Sequence, residues 1–297
     1  MRLRLTLRKY NINKYFAYID NTLKLAWKKQ LWQTKDMKAA RSFLVFLLPV
    51  ILLAGCATSY NVATQHQESL LIETEREIRM GDAISKKVEE EYPPMRDPEL
   101  LARVDRVGQR IAQASDRKDL LYRFNVIEEK GPNAFALPGG PIYVTSGLME
   151  LVKSDDELAS VLGHEAGHVA AKHVVKRIQG AIGLDLLQIL AVGSGAADAR
   201  TRAGMDLAFA SLLTSYSQED ELQADQLGTK YVRRAGYQPL AGISFLERLK
   251  NYTQKQPIRN FSYFRTHPYF ADRIREVRRE ATGQIQFDDY INTSPQN

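Results

Sequence analysis

Cysteine and long apolar runs are nearly absent from this sequence. Its 297 residues include a single cysteine, Cys56, which excludes a disulfide-stabilised fold and a cysteine-rich metal site. The apolar run at residues 42–53 is shorter than the roughly 20 residues that span a bilayer. A second apolar segment, residues 182–195, is also short and contains Asp185, so it predicts a core helix or a lid. These absences argue against an integral membrane protein.

The excess of positive charge is confined to the first part of the chain. The whole sequence has a formal net charge of +6 and a pI of about 9.2. Eleven of its 41 Lys and Arg residues, but only two of its 35 Asp and Glu residues, precede Cys56, so residues 56–297 carry a net charge of −3. The basic pI is therefore no indication of nucleic-acid binding, and we expect none.

The segment before Cys56 resembles the signal peptide of a bacterial lipoprotein. Basic residues precede an apolar core, which ends in Leu-Ala-Gly-Cys with the small residues of a cleavage site. We predict a signal peptide at residues 37–55 and a lipid on Cys56, and we interpret residues 1–36 as an extension upstream of the true start. An organelle presequence and an ordinary cysteine after an apolar helix are the alternatives. Ala57 favours the outer membrane, by resemblance to lipoproteins of Gram-negative bacteria.

The stretch His164-Glu165-Ala166-Gly167-His168 has the spacing of a helical site for a divalent metal. Residues four apart on an α-helix lie on one face, so the two imidazoles converge with Glu165 beside them. Neutral imidazole suits Zn²⁺, and Glu165 can take the proton of a metal-activated water. Ser154 and Glu157 have the spacing of a capping box, which predicts a helix that begins two turns before the motif. The alternative is a chance match to a short pattern.

A third metal ligand has to come from elsewhere in the chain. A metzincin has glycine and histidine where Ala171 and Val174 stand, which excludes that class. Glu221 and Asp225 lie one helical turn apart in a later acidic segment. Glu221 can bind the metal while Asp225 accepts the N–H of a ligand histidine and fixes its tautomer. The alternative is a solvated acidic face, which is the commoner meaning of such clusters.

These residues resemble the HtpX-like and CAAX-prenyl-protease-like zinc metallopeptidases, which are gluzincins. The resemblance covers about residues 68–282 and rests on four motifs in the same order. They are Asn-Ala-Phe-Ala-Leu-Pro-Gly-Gly from Asn133, the motif from His164, Glu221-x-x-Ala224-Asp225, and Thr266-His267-Pro268 with Arg273. The sequence departs from the family at Gln218, where arginine is often found. Glutamine cannot form the ion pair that an arginine could form there, but it does not change the metal-binding residues.

The resemblance implies one zinc ion per chain, bound by His164, His168 and Glu221. It also implies Glu165 as the general base and Asp225 as the hydrogen-bond partner of a ligand. A water attacks the polarised carbonyl of a peptide bond in this mechanism, and no covalent acyl-enzyme is needed.

The sequence predicts different positions for two further histidines, His267 and His173. His267 is a candidate catalytic residue, because the His-Pro motif of the family lies near the active site. Its imidazole would stabilise the oxyanion or occupy the open position of the metal in a resting form. The alternative is a histidine that caps the helix after Pro268. His173, by contrast, points about 180° away from His164 on a continued helix, and we expect it at the surface or behind the ligands.

The predicted fold is α+β and mostly helical, a zincin-type metallopeptidase domain at residues 67–283. Alternating apolar residues at 121–128, and the segments 134–137 and 142–145 around a Pro-Gly-Gly-Pro turn, predict a small antiparallel sheet beside the motif helix. Its edge strand is expected to pair with an extended peptide substrate, or else only to close the core. The remaining predicted segments are a lipidated polar tether at residues 56–66 and a loosely ordered tail at residues 284–297.

The sequence thus predicts a zinc-dependent endopeptidase of the cell envelope, lipid-anchored to the outer membrane and facing the periplasm. Unfolded or misfolded proteins are the expected substrates, in quality control of envelope proteins, with outer-membrane assembly machinery as a further expected contact. The rival hypothesis is a non-catalytic lipoprotein that chaperones or assembles outer-membrane proteins, with a structural metal or a site closed by His267. Glu165 argues against the rival, because a purely structural site has no use for a base at that position.

Overall fold

The computed structural model describes residues 59–68, 72–180, 199–255 and 262–283. The predictions for the upstream extension, the signal peptide, Cys56, the apolar segment 182–195 and the tail from residue 284 lie outside these residues. No helix in the described part of the chain has the length and apolar character that crossing a membrane requires.

The described residues form five strands and ten helices. In chain order they are β1 (Ser59–Asn61), β2 (His66–Glu68), α1 (Thr74–Glu91), α2 (Pro98–Ala114), β3 (Arg123–Ile127), β4 (Ala134–Ala136), β5 (Pro141–Thr145), α3 (Ser146–Leu151), α4 (Asp155–Ala170), α5 (residues 173–180), α6 (Ala199–Leu212), α7 (Gln218–Arg234), α8 (Ala241–Lys255), α9 (Tyr263–Thr266) and α10 (Phe270–Thr282). Helices predominate over the small sheet, which confirms the predicted fold class.

Helix α4 begins where the sequence predicts. The Ser154 side chain accepts the backbone N–H of Glu157, and three acidic residues in the first turn favour the positive end of the helix dipole. The Glu157 carboxylate accepts the N–H of Lys153, one residue before the position expected in a capping box. The cap places the two-histidine motif near the middle of a buried helix that contacts α2, α7, α8 and β4.

The main sheet is mixed, with the strand order β3-β5-β4. Strands β4 and β5 flank the Pro-Gly-Gly-Pro turn and are antiparallel, as predicted. Strand β3 pairs with β5 in parallel, which corrects the expectation of a wholly antiparallel sheet. The chain leaves β3, forms the edge strand β4 and returns through the turn as β5 between them, so β5 has the same direction as β3. Alternation within a segment predicts a strand but not the direction of its neighbour.

Residues 59–68 overlap the predicted polar tether and are folded onto helix α4. Strands β1 and β2 form an antiparallel hairpin, and the buried Asn61 donates from its side chain to the carbonyl of Ala170. The Asn61 side-chain oxygen accepts the N–H of Ala63 in the turn. The last carbonyl groups of a helix have no donor within the helix. The hairpin supplies a donor to one of them at the C-terminal end of α4. The polar composition of this stretch concealed a specific hydrogen bond.

Glycine brings α4 and α7 into backbone contact. A Cβ atom on Gly167 would lie 2.6 Å from the carbonyl oxygen of Ala224, and one on Gly163 would lie 3.0 Å from that of Gly228. A Cβ on Gly228 would in turn lie 2.8 Å from the backbone nitrogen of His164. No other residue fits at these positions without moving a helix. This close packing carries Glu221 and Asp225 to the two histidines of α4.

Candidate metal centre

The two motif histidines meet on the buried face of α4. His164 and His168 are 3% and 0% exposed, and their Nε2 atoms lie 3.0 Å apart. Their rings are nearly perpendicular, with an interplanar angle of 85°. Two nitrogen lone pairs thus point to one space, as the spacing of the motif predicts.

Glu221 on α7 completes a three-ligand set. Its two carboxylate oxygens lie 3.5 Å from His164 Nε2 and 3.3 Å from His168 Nε2. Around a tetrahedral zinc ion with bonds of about 2.0–2.1 Å, neighbouring ligand atoms are about 3.3–3.4 Å apart. The observed distances are close to that value. The Ser217 capping box fixes the start of α7 and hence the position of Glu221 in its first turn.

His267 contributes a fourth ligand atom. Its Nδ1 atom lies 2.9 Å from Glu221 Oε1 and 3.3 Å from His164 Nε2. The ligand atoms of His164, His168, Glu221 and His267 all lie within 4.8 Å of one another. His267 ends α9, and its own backbone N–H bonds to Tyr263, whereas Tyr269 precedes α10. The imidazole does not cap the helix after Pro268, which excludes that alternative.

Glu165 is fully buried beside the ligands. It is 0% exposed, and neither carboxylate oxygen has a hydrogen-bond partner among the described residues. The His267 Nε2 atom is 3.6 Å from Glu165 Oε1. A buried carboxylate without partners is costly, and proteins keep such groups chiefly where chemistry requires them. Its carboxylate thus lies next to the two imidazoles without a hydrogen bond to the described residues.

Asp225 and Arg273 support the ligands from behind. Asp225 Oδ1 lies 2.7 Å from His164 Nδ1, so it accepts the N–H of that ring and leaves Nε2 for a metal. Arg273 on α10 donates to both oxygens of Asp225, at 2.8 and 2.9 Å. The Arg273 Nη1 atom is also 3.0 Å from Glu221 Oε2. One buried guanidinium therefore holds the carboxylates of both Glu221 and Asp225. The sequence motif contained Arg273 but gave no indication of these partners.

The electrostatics of the site favour an anionic Glu221 and Asp225. Burial opposes ionisation, but His267 and Arg273 hold the pKa of Glu221 well below its usual range. Against the same cost of burial, Arg273 and His164 lower the pKa of Asp225. Burial and Arg273 act to lower the pKa of His164, but Asp225 and Glu221 outweigh them and raise it to about 9. The anionic carboxylates of Glu221 and Asp225 therefore place negative charge beside the ligand nitrogens, which favours a divalent cation.

Two tyrosines, to which sequence reasoning assigned no role, enclose the ligands together with His173. Tyr216 stacks on His168 with ring centres 3.9 Å apart, and Tyr263 stacks on His267 at 4.4 Å. His173 is 3% exposed, and its Nδ1 atom is 2.9 Å from that of His168. Helix α4 ends at Ala170, and Lys172 has a φ of 56°, so the chain turns and His173 returns to the ligands. The position behind the ligands is thus correct, and the surface alternative is wrong.

Zinc fits the residues of this site. The four donors are nitrogen and oxygen atoms, all are buried, and the spacing of the ligand atoms is that of a single ion. The carboxylates of Glu165 and Glu221 supply negative charge that the cation of Arg273 only partly balances. Two histidines and an unliganded glutamate on one helix, with a ligand glutamate from a second helix, define a zinc metallopeptidase centre of the gluzincin type.

Comparison with known proteins agrees with that class. The chain belongs to peptidase family M48, whose family model matches residues 98–281. This match includes all four candidate metal-binding residues.

Three relatives illustrate the similarity. The mitochondrial metalloendopeptidase OMA1 of Schizosaccharomyces pombe is 32% identical over 205 residues, which cover 68% of this chain and 60% of the relative. The beta-barrel assembly-enhancing protease of Escherichia coli K12 is 28% identical over 225 residues, or 69% of this chain and 44% of the relative. The metalloprotease LoiP of the same organism is 32% identical over 158 residues, which cover 52% of this chain and 61% of the relative. The chain thus spans about half the length of the first two.

Proposed function

We propose that this protein is a zinc-dependent endopeptidase of the cell envelope that hydrolyses peptide bonds in unfolded or misfolded proteins. The observation that carries the proposal is the buried Glu165, without a hydrogen-bond partner among the described residues and adjacent to ligand atoms at zinc spacing. The names of the relatives describe metalloendopeptidases and proteases, which supports the same activity. Substitution of Glu165 tests the proposal, because it should stop cleavage of casein and leave zinc in place.

The chain's own groups carry the proton transfers of this reaction. A bound zinc ion supplies a Lewis acid that polarises the scissile carbonyl and makes water more acidic. Glu165 accepts a proton from the attacking water and returns it to the leaving amine nitrogen. Asp225 holds the His164 ring in the tautomer that binds metal, and Arg273 keeps Glu221 and Asp225 ionised and in place.

Strand β4 is suited to hold an extended substrate beside these groups. It is an edge strand of the main sheet and packs against α4. Thr145 donates to the Asn133 carbonyl and Leu137 donates to the Pro141 carbonyl, so odd-numbered residues of this segment bond to β5. The N–H and C=O groups of Ala134 and Ala136 therefore point away from β5. Because Ala134 and Ala136 are buried, an extended peptide can pair with their main chain only where it displaces the residues that cover this edge, and such pairing depends little on side chains.

We further propose that His267 occupies the open metal position in a resting form. Its Nδ1 atom lies 2.9 Å from Glu221 Oε1 and 3.3 Å from His164 Nε2, near the spacing of a fourth ligand, which favours this role over oxyanion stabilisation. We expect His267→Ala to raise the rate of casein cleavage several-fold, because the fourth position becomes free for water. Initial rates at equal zinc content provide the measurement. A large loss of kcat in the variant would instead support the oxyanion role.

The cellular setting is a proposal from the sequence near Cys56. A lipid on this residue would anchor the domain to the outer membrane on the periplasmic side. We expect radiolabelled palmitate to enter the wild-type protein in a Gram-negative host and not a Cys56→Ser variant. Label that persists in the variant, or that is absent from the wild type, contradicts lipidation at Cys56. Fractionation of the membranes then distinguishes the outer from the inner one.

The biological task follows from the same set of proposals. We propose quality control of envelope proteins by a member of the HtpX-like and CAAX-prenyl-protease-like branch of the family. A relative named for enhancing beta-barrel assembly supports contact with outer-membrane assembly machinery. The rival, a non-catalytic assembly factor, predicts that Glu165→Gln leaves the cellular phenotype unchanged. The buried carboxylate of Glu165 favours the enzyme, because binding alone gives no reason to bury that charge.

A further inference from the structure

The two ring nitrogens of His168 have different partners. Nε2 is a ligand atom, 3.0 Å from His164 Nε2 and 3.3 Å from Glu221 Oε1. Nδ1 lies 2.9 Å from Nδ1 of His173. The other nitrogen of His173, Nε2, lies 2.8 Å from Gln223 Oε1 and 3.4 Å from Asp220 Oδ1 on α7. A continuous chain of hydrogen bonds thus connects the metal position to the first turns of α7.

The position of each proton in this chain follows from the chemistry of the donors. A neutral imidazole carries one N–H, and a nitrogen that binds metal cannot carry it. His168 therefore has its proton on Nδ1 and donates it to His173. His173 must accept at Nδ1, so its own proton is on Nε2, where the amide oxygen of Gln223 accepts it. Only this pair of tautomers satisfies every contact.

We propose that His173 is a positioning residue of the metal centre, whose neutral imidazole accepts the Nδ1–H of His168 and thereby directs Nε2 to the metal. The proposal rests on zinc binding by His164, His168 and Glu221, as proposed above. Gln223 acts one step further away, because it fixes the tautomer of His173.

Packing alone does not orient the His168 ring. Tyr216 stacks on it with an interplanar angle of 20°, which fixes the plane of the ring. A half-turn about the bond from Cβ to the ring keeps that plane and exchanges the nitrogen and carbon edges. The hydrogen bond to His173 distinguishes the two orientations, because only one of them gives His173 a donor.

The two ligand histidines are oriented by partners of different charge. His164 donates to the carboxylate of Asp225, which Arg273 neutralises. His168 donates to a neutral ring instead. A neutral acceptor orients the ligand without adding negative charge to a site that already contains two buried glutamates. His173 therefore preserves the positive charge that a bound metal ion presents to substrate.

Substitution of His173 by phenylalanine and by asparagine separates the acceptor from the shape of the ring. His173→Phe keeps a flat ring but cannot accept, and we expect about 10–100-fold weaker zinc binding. His173→Asn places an amide oxygen where Nδ1 was and should restore affinity to within about threefold of the wild type. Competition with a chromophoric chelator measures affinity. The visible spectrum of the cobalt-substituted protein reports ligand geometry, and we expect His173→Phe alone to change it.

The matched control is His66→Phe, since His66 is exposed on β2 and lies outside the metal group. A folded His173→Phe variant with wild-type affinity and spectrum overturns the proposal, and so does a His173→Asn variant as defective as His173→Phe. If His173→Phe does not fold, Gln223→Leu decides, with weaker zinc binding expected and unchanged binding contradicting the proposal. Wild-type protein that binds no zinc would overturn the proposed function as well. If the wild type binds zinc normally, a negative result with the variants overturns only the proposal for His173.

Discussion

Glu165→Gln should abolish casein cleavage while the protein keeps about one zinc per chain. The amide has nearly the shape of the carboxylate but cannot accept a proton from water, and loss of a general base costs about 10²–10⁴-fold in rate. Zinc should stay bound because Glu165 is not among the clustered ligand residues. Elemental analysis gives the zinc content, and kcat/KM on casein gives the rate.

The same substitution should leave the fold as stable as before or more so. Glu165 is fully buried and has no hydrogen-bond partner among the described residues, so its charge is a cost in the metal-free protein. Urea unfolding of both metal-free proteins measures the difference. The control is Glu150→Gln at an exposed position, where neither rate nor stability should change. Full activity in Glu165→Gln would place the base elsewhere, and loss of zinc would make Glu165 part of the binding site.

Gly167→Ala should weaken zinc binding without altering any ligand. The added methyl group would lie 2.6 Å from the carbonyl oxygen of Ala224 on α7, too close for backbone that cannot rotate away. Helices α4 and α7 have to separate, which moves Glu221 and Asp225 away from the histidines. Overpacking costs about 1–3 kcal/mol, more than the gain of up to about 1 kcal/mol from replacing glycine in a helix. We expect net destabilisation and at least about tenfold weaker zinc binding.

Gly180→Ala is the matched control for this change. No atom of the described residues lies within 4 Å of a methyl group at Gly180, which is also helical, so the substitution should be neutral or slightly stabilising. Urea unfolding with and without zinc separates packing from metal binding. Wild-type zinc affinity in Gly167→Ala would mean that the two helices can relax without moving their ligands, and it would contradict the role given to the close contact.

The sequence predicted the parts of the site that depend on short spacing. His164, Glu165 and His168 lie on one helix, and periodicity together with the Ser154 cap determines their common face. Glu221 was predicted from its residue type and its place in a later helix. The contact between the two helices depends on glycines whose meaning is clear only when the opposing backbone is present.

The sequence did not reveal contacts that depend on how the chain turns. His173 appeared to point away because a helix was assumed to continue past Ala170, but Lys172 has a left-handed conformation that reverses the path. The direction of β3 relative to β5 and the hydrogen bond of Asn61 to α4 could not be predicted either. Each depends on tertiary packing, to which the pattern of polar and apolar residues within a segment is insensitive.

Arg273 makes the centre dependent on nearly the whole domain. The ligands begin at His164, but the cation that secures Glu221 and Asp225 arrives 109 residues later, on α10. His164, His168 and Glu221 therefore all precede in the chain the cation that secures Glu221 and Asp225. A chain that ends before α10 lacks the ion pairs that hold Glu221 and Asp225 in position, so the centre depends on a helix far from the histidine motif in sequence.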